Sequence, residues 1–298
     1  MTPSFQRFLD PATLAGLSGL DLVAKTVVDG FVSGLHRSPD FGFSQEFAEY
    51  RAYSPGDDLR HIDWNVFART ERAYLKRYRG ETNSQLLVLL DASASMSFGT
   101  AAVNKLDYSR FLAASLCYLA HQQRDAAGLI IFAEDIQNYV VPSTRQGQLF
   151  RLLHAIEKAE TGTRTDFAKP FVHFQNFLRR RGIAVIISDF YEAPETIVKT
   201  IEPLRYRGND VILFHVLDPK EIAPDFREPS LLIDVETRDS LEVSPEYARS
   251  EYREKIDAHI SAMRTKARAA GLDYFLMNTA RPLDEGLREY LAVRQGRM

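Results

Sequence analysis

An aspartate and two serines stand at alternate positions directly after an apolar run near the middle of the chain. Leu86 to Leu90 are five consecutive apolar residues, and Asp91, Ser93 and Ser95 follow them. A short uninterrupted apolar run of this kind predicts a strand that is buried on both faces. In an open α/β sheet, ligands bind at the carboxyl ends of the strands. One carboxylate and two hydroxyls are hard oxygen ligands, which suit Mg²⁺ better than zinc or copper.

A second aspartate follows another apolar run of the same kind. Residues 183–188 read Ile-Ala-Val-Ile-Ile-Ser, and Asp189 comes next. If the strands that end at Asp91 and Asp189 are neighbours in one sheet, both carboxylates meet at one edge of that sheet. A threonine-bearing loop at 161–166 lies between the two runs in the sequence and could close the site.

The same residues also have a purely structural interpretation. Serines after a strand commonly cap the helix that follows, because their hydroxyls accept hydrogen bonds from free backbone N–H groups. Under this interpretation Ser93 and Ser95 are helix caps, and Asp91 only ends a strand. The sequence pattern by itself leaves both interpretations open.

Apolar runs alternate with amphipathic stretches along most of the chain. Strands are predicted at 86–90, 126–133, 136–141, 183–188, 210–217 and 273–277, and helices at 105–123, 146–159, 167–181, 194–205, 245–270 and 283–293. Alternation of this kind predicts an α/β fold with a mostly parallel sheet and helices on both faces. The strand at 136–141 follows its neighbour so closely that we expect an antiparallel edge there.

The first 81 residues do not show this alternation of apolar runs and amphipathic stretches. Residues 10–36 carry apolar side chains at helical spacing with interspersed glycines, which predicts a broken helix. Strand-like aromatic stretches then flank a turn at 54–58. We therefore expect a helical arm and a β-rich module at 1–81, and an α/β domain at 82–298. Within that domain, an inserted hairpin is predicted near 230–244.

The composition argues against several classes of function. The chain has 298 residues, 45% of them hydrophobic, a formal net charge of -3 and one cysteine, Cys117, which we expect to be buried. Slight acidity gives no general attraction to nucleic acid or anionic membranes. The basic stretch at 69–79 is expected to be a solvated strand face, with a docking surface for an acidic partner as the alternative. Because there is no secretory signal and no apolar run of about 18 residues, we expect a cytoplasmic protein without membrane insertion.

Three stretches resemble a known family. The sequence Asp91-Ala-Ser-Ala-Ser95-Met resembles the metal-ion-dependent adhesion site of von Willebrand factor A domains. Residues 46–58 and 60–64, together with Phe98-Gly99 after the Asp91 motif, resemble the bacterial family called domain of unknown function 58. The resemblance implies a doubly wound, mostly parallel sheet of the von Willebrand factor A-like type. It places the strands that end at Asp91 and Asp189 side by side.

The resemblance also implies a metal site with a role for each ligand. The serines would bind Mg²⁺ (or Mn²⁺) directly, and the aspartates would hold it directly or through water. A threonine from the 161–166 loop would complete the set, with Thr163 as the alternative to Thr165. The implied ligands are Asp91, Ser93, Ser95, Thr165 and Asp189.

The function implied by the resemblance is protein recognition. Proteins of this family are often encoded with a MoxR-type AAA+ ATPase, and such pairs are thought to act as chaperones that mature or remodel other proteins. We therefore expect a non-enzymatic interaction module that works with this ATPase. An Asp or Glu of a client or of the ATPase would fill the open position of the metal.

A Mg²⁺-dependent hydrolase or phosphatase on the same sheet is the alternative function. A phosphoaspartate enzyme of the Asp-x-Asp type needs a second carboxylate two residues after the first, and Ser93 stands there. The sequence shows no catalytic lysine near the motif and no paired acid and base. We therefore expect no enzymatic activity.

A polar cluster between the strand-like stretches of the β-rich module has two interpretations. A tight turn with ion pairs explains its charged residues, whereas a contact surface for a partner would be specific to the family. Its members are Asp57, Asp58, Arg60, Asp63 and Trp64. Its histidine, His61, is not expected to bind a metal, because no second His or Cys stands at ligand spacing.

Overall fold

The computed structural model describes most of the chain in two compact units. The described residues are 11–35, 47–52, 66–67, 69, 72–78, 85–162, 169–171, 181–225, 228–233 and 240–296. One unit comprises Met1–Phe31 with Ser84–Met298, and the other comprises Val32–Asn83. The predicted domain division between residues 81 and 82 stays a prediction.

The described residues of the N-terminal part include two helices and a pair of strands. These are α1 (Pro11–Ala15), α2 (Leu20–Leu35), β1 (Phe47–Ala52) and β2 (Tyr74–Tyr78). The expected break in the helix lies between α1 and α2, where Gly19 adopts a φ of 106° that L side chains rarely take. Strands β1 and β2 pair antiparallel in a sheet of their own.

Six strands form the central sheet of the larger unit. The strands after β2 are β3 (Gln85–Asp91), β4 (Ala126–Phe132), β5 (Ile136–Ser143), β6 (Gly182–Ser188), β7 (Asp210–Leu217), β8 (Ser230–Ile233), β9 (Ser240–Val243) and β10 (Asp273–Asn278). The order across the central sheet is β10-β7-β6-β3-β4-β5, and β8 pairs with β9 in a separate antiparallel hairpin. Among the strand pairings that the structure describes in the central sheet, only β4–β5 is antiparallel.

Helices cover both faces of this sheet. The helices of this unit include α3 (Lys105–Gln122), α4 (Gln148–Glu157), α5 (Pro194–Tyr206), α6 (Pro219–Ile222), α7 (Pro245–Tyr247), α8 (Arg253–Ala269) and α9 (Asp284–Gly296), with a 3₁₀ turn at Ala94–Ser97 and a π-helical turn at Ala248–Tyr252. On one face, Leu87 and Leu89 belong to a core cluster with Ile197 of α5 and Met263 of α8. Since side chains alternate along a strand, Val88 points to the other face, where α3 contacts β3.

The predicted fold class, α/β with a doubly wound and mostly parallel sheet, is confirmed by this arrangement. Counted within the sheet alone, the strand order is 3-2-1-4-5-6, which is the doubly wound order. Strands β4 and β5 lie on one side of β3, and the later strands β6, β7 and β10 lie on the other side. Strands β3 and β6 are parallel neighbours. The expectation that the strands ending at Asp91 and Asp189 lie side by side is therefore confirmed.

The sheet ends at β5 with a proline packed over a glycine. A Cβ atom at Gly128 of β4 would lie 2.5 Å from Cγ of Pro142, so only glycine leaves room for the proline ring. The expected antiparallel edge is present as this strand. Proline has no backbone N–H, so the ladder of donors on β5 is interrupted there.

Two further expectations concern single features of the chain. Cys117 is fully buried in α3, and burial raises the pKa of its thiol to about 12, so the thiol stays protonated. In the part of the chain that the structure describes, no helix combines the length and the apolarity that crossing a membrane requires.

Candidate functional site

Asp91 is the last residue of β3, and its carboxylate is fixed at the carboxyl edge of the sheet. The side chain is fully buried. Its Oδ1 accepts a hydrogen bond of 2.8 Å from the Ser93 backbone N–H. Its Oδ2 accepts one of 2.6 Å from the hydroxyl of Ser188, the last residue of β6. The two neighbouring strands are therefore joined through this carboxylate, directly beside Asp189.

The surroundings of Asp91 disfavour its negative charge. Burial, followed by the charge of Asp189, raises the pKa of Asp91 from 3.8 to about 7, although the hydrogen bonds from Ser188 and Ser93 act in the opposite direction. A cation between the two carboxylates would relieve this repulsion.

The hydroxyls of Ser93 and Ser95 face each other and do not cap a helix. Their Oγ atoms are 3.0 Å apart. Ser93 precedes the 3₁₀ turn, but its side chain makes no capping hydrogen bond there. Helix α3 is capped instead by Asn104, whose side chain accepts from the Asp107 N–H at 2.7 Å. The interpretation of the two serines as helix caps therefore does not agree with the structure.

Asp189 follows β6 at a turn with unusual backbone geometry. The next residue, Phe190, has a positive φ of 47°, which is rare for a large side chain. His259 of α8 bonds the Phe190 carbonyl oxygen through Nε2 at 2.9 Å, and the Phe190 ring packs edge-on against His215. These contacts fix the turn and hold Asp189 buried at the sheet edge.

Lys105 lies beside the motif in the folded chain, a position that the sequence analysis did not predict. The side chain is fully buried at the start of α3. Its Nζ donates to Asp189 Oδ2 at 2.8 Å and to Glu221 Oε1 at 2.7 Å. Burial by itself lowers the pKa of Lys105, but the two carboxylates outweigh it and the pKa lies above its ordinary value. A charged amine held in this way is not available as a base or nucleophile.

A second missed residue, Asp218, ties the loop after β3 to the end of β7. Its buried carboxylate accepts hydrogen bonds from the Thr100 N–H at 2.6 Å and the Thr100 hydroxyl at 2.5 Å. It also accepts from the Lys220 N–H at 2.8 Å, and Glu221 completes a capping box with it. The spacing of Asp218 and Glu221 is the sequence signal that could have revealed this pair.

The threonine-bearing loop begins against the Asp91 motif. The Gly162 N–H donates to the Ala92 carbonyl oxygen at 2.6 Å. A Cβ at Gly162 would lie 2.6 Å from Cβ of Ala133, so the approach depends on glycine. The two candidate loop ligands, Thr163 and Thr165, lie outside the described residues. The same holds for the polar cluster of Asp57, Asp58, Arg60, Asp63 and Trp64, and for His61.

Replacing Gly162 with alanine is expected to destabilise the protein by about 1–3 kcal/mol, because the added methyl group overpacks this contact. Urea denaturation followed by circular dichroism measures the difference. Gly16→Ala is the matched control, since the nearest atom to its added Cβ, the Thr13 carbonyl oxygen, is at an ordinary 3.5 Å. Equal stability of the two variants would show that the loop does not depend on this close approach.

The oxygens at this edge fit a small divalent cation. Adjacent ligands of an octahedral Mg²⁺ lie about 3 Å apart, and the two serine hydroxyls have this separation. Among the described residues, no group of three or more His, Cys, Asp and Glu side chains is placed to hold a metal ion. A cation here would therefore depend on hydroxyl oxygens as well as on Asp91 and Asp189.

Comparison with known proteins gives one family and several relatives. The model of the family described as "Protein of unknown function DUF58" matches residues 49–265. The uncharacterized protein Rv1480 of Mycobacterium tuberculosis is 30% identical over 291 residues, which cover 96% of this chain and 91% of that protein. The uncharacterized protein Mb1516 of Mycobacterium bovis gives the same values.

The comparison with solved structures gives matches of low sequence identity. The conserved hypothetical protein BatB from Bacteroides thetaiotaomicron is 12% identical, with a TM-score of 0.46 over 71% of this chain and 99% of BatB. The SpRpn10 VWA domain is 10% identical, with a TM-score of 0.39 over 68% of this chain and 92% of that domain. The assignment of the fold class rests on the strand order described above.

Proposed function

The chain belongs to the DUF58 family of proteins of unknown function, and we propose on this premise that it is a divalent-cation-dependent protein-interaction module. The observation that supports the proposal is the pair of serine hydroxyls, 3.0 Å apart and unused as helix caps, at the edge where Asp91 and Asp189 meet. The cation would be Mg²⁺ or Mn²⁺, and the protein would bind its partner without chemical turnover.

The residues of the candidate site would have different roles in holding the cation. Ser93 and Ser95 would supply direct hydroxyl ligands, and Asp91 and Asp189 would hold the cation directly or through water. The Ser188 hydroxyl and the Ser93 N–H would keep the Asp91 carboxylate in place. Neutral hydroxyls leave the bound cation with positive charge, which attracts a carboxylate from another molecule.

The partner implied by the family resemblance is a MoxR-type AAA+ ATPase, together with a client protein. The ATPase would supply the work of remodelling, and this chain would supply recognition of an exposed Asp or Glu. A contact surface for a partner also stays a prediction for Asp57, Asp58, Arg60, Asp63 and Trp64, which lie outside the described residues.

Calorimetric titration of the metal-free protein with Mg²⁺ and Mn²⁺ tests the proposal. We expect one saturable site in the wild type, lost in the Ser93→Ala/Ser95→Ala variant because both hydroxyl ligands are removed. Capture of a purified MoxR-type ATPase should require the metal, stop with chelator and stop in the same variant.

Ser97→Ala is the matched control for this experiment. Ser97 lies in the same 3₁₀ turn, but its hydroxyl donates to the Ala94 carbonyl oxygen at 2.6 Å and would not reach the cation as a ligand. It should bind metal and partner as the wild type does. Metal binding that is unchanged in Ser93→Ala/Ser95→Ala would refute the proposed site.

A further inference from the structure

The ammonium group of Lys105 lies between the candidate cation site and the carboxylate of Glu221. Its Nζ contacts Asp189 on one side and Glu221 on the other, at 2.8 Å and 2.7 Å. The rings of Tyr191 and Phe98 also face it, with centroids at 4.8 Å and 5.8 Å. The side chain itself is 0% exposed, so a partner protein could not touch it directly.

The position of this lysine is unfavourable for a cation unless the carboxylates hold it. Lys105 is the first residue of α3, and the amino end of a helix attracts anions and repels cations. Burial without pairing would be costly as well. The two carboxylates offset both penalties, so the buried position of the lysine depends on them.

Glu221 offers Lys105 a partner that is independent of the site. The Glu221 carboxylate is anchored through Oε2, which accepts from the Asp218 N–H at 2.8 Å, while Oε1 holds Lys105. Loss of the Asp189 contact would therefore leave the ammonium with one charged partner. The lysine can be shared between Glu221 and Asp189.

We infer that Lys105 is a built-in cation that competes with the divalent metal for Asp189. The inference rests on the proposed function. A metal that engaged Asp189 would stand within a few ångströms of the buried ammonium, and like charges repel strongly in a desolvated site. The metal affinity of the free protein is therefore held down. A partner's carboxylate adds the negative charge that offsets the ammonium, and so metal and partner bind cooperatively.

Metal titration of three site variants tests this competition. Lys105→Met removes the competing charge and should tighten Mn²⁺ binding by about tenfold or more. Glu221→Gln leaves Lys105 with Asp189 alone and should weaken Mn²⁺ binding. Lys105→Met/Glu221→Gln keeps the net charge of the wild type and should still bind Mn²⁺ more tightly than the wild type.

The controls separate local competition from other effects. Lys199→Met removes one exposed charge from α5 and should leave the Mn²⁺ affinity unchanged. Lys105→Met could misfold because it leaves Glu221 without its charged partner, whereas the double variant removes both charges. The double variant therefore tests the competition even if Lys105→Met misfolds. Near-ultraviolet circular dichroism checks the fold of each variant. Wild-type affinity in the double variant, or weaker binding in Lys105→Met, would overturn the inference.

The outcomes also separate this inference from the proposed function. Wild-type metal binding that needs Ser93 and Ser95 but ignores Lys105→Met would refute the competition and leave the site intact. Metal binding that is detectable only in the Lys105 variants would support the competition. Absence of binding in every variant and in the wild type would refute the proposed function, and this inference with it.

Discussion

Replacing Asp91 with asparagine is expected to abolish divalent-cation binding and, at the same time, to stabilise the metal-free protein at neutral pH. The amide keeps an oxygen for the Ser93 N–H, and its nitrogen can donate to the Ser188 hydroxyl, so the local geometry is kept. The charge that holds the metal is lost, and we expect the affinity to fall by roughly a hundredfold or more. Calorimetric titration measures this loss.

The gain in stability follows from the raised pKa of Asp91. The folded protein keeps the proton of Asp91 up to about pH 7, whereas the unfolded chain releases it near 3.8. The stabilisation from this bound proton is complete below pH 3.8 and is lost as the pH rises through 7. Each unit of pKa corresponds to about 1.4 kcal/mol, so the wild type should lose on the order of 4 kcal/mol across this interval, relative to Asp91→Asn.

Urea denaturation of both proteins in chelator, at several pH values from 4 to 8, measures this difference. The free energy of unfolding should fall with rising pH only in the wild type. Saturating Mg²⁺ should reduce this fall, because the cation replaces the proton. Parallel pH profiles of the two proteins would show that Asp91 titrates normally and that its burial has no electrostatic cost.

Replacing Asp218 with alanine is expected to destabilise the protein by about 3 kcal/mol or more. The buried carboxylate accepts from three backbone N–H groups and from a hydroxyl. Hydrogen bonds to a charged group contribute about 1.5–3 kcal/mol each, and the alanine removes all of them. The Thr100 segment would be released from β7. Urea denaturation measures the stability, and faster amide exchange at Thr100 and Ala101 would locate the change.

Two variants serve as controls for Asp218→Ala. Asp218→Asn keeps one acceptor oxygen and should cost less than the alanine. Asp257→Ala removes an exposed carboxylate of α8, whose pair with Arg253 is long at 3.9 Å, and should change the stability by about 0.5 kcal/mol at most. A stability of Asp218→Ala within the range of this surface variant would contradict the structural role of the carboxylate.

The sequence was sufficient for the sheet because each buried strand is an apolar run that differs from its surroundings. The apolar runs before Asp91 and Asp189 form β3 and β6. The close spacing of the runs at 126–133 and 136–141 predicted the antiparallel edge. The break between α1 and α2 follows from glycines. Such features are local, and so a single sequence carries them.

The ion pairs of the site could not be predicted, because they join residues that are far apart in the chain. Lys105 and Glu221 are separated by 116 positions, and Thr100 and Asp218 by 118. A lysine at the first position of a helix ordinarily faces water, and nothing local marked this one as buried. The role of Ser188 depends on the adjacency of β3 and β6, which sequence spacing alone does not give.

The edge strand β5 limits how another protein can approach. Recognition by strand addition needs an unbroken row of backbone donors and acceptors along an exposed edge. Pro142 has no backbone N–H to contribute to such a row, and its ring packs over Gly128. Strand addition at β5 is therefore an unfavourable mode of binding for a partner. The loops at the carboxyl ends of β3 and β6 offer it side-chain chemistry instead, so a complex would be sensitive to chelator and to single hydroxyls rather than to backbone pairing.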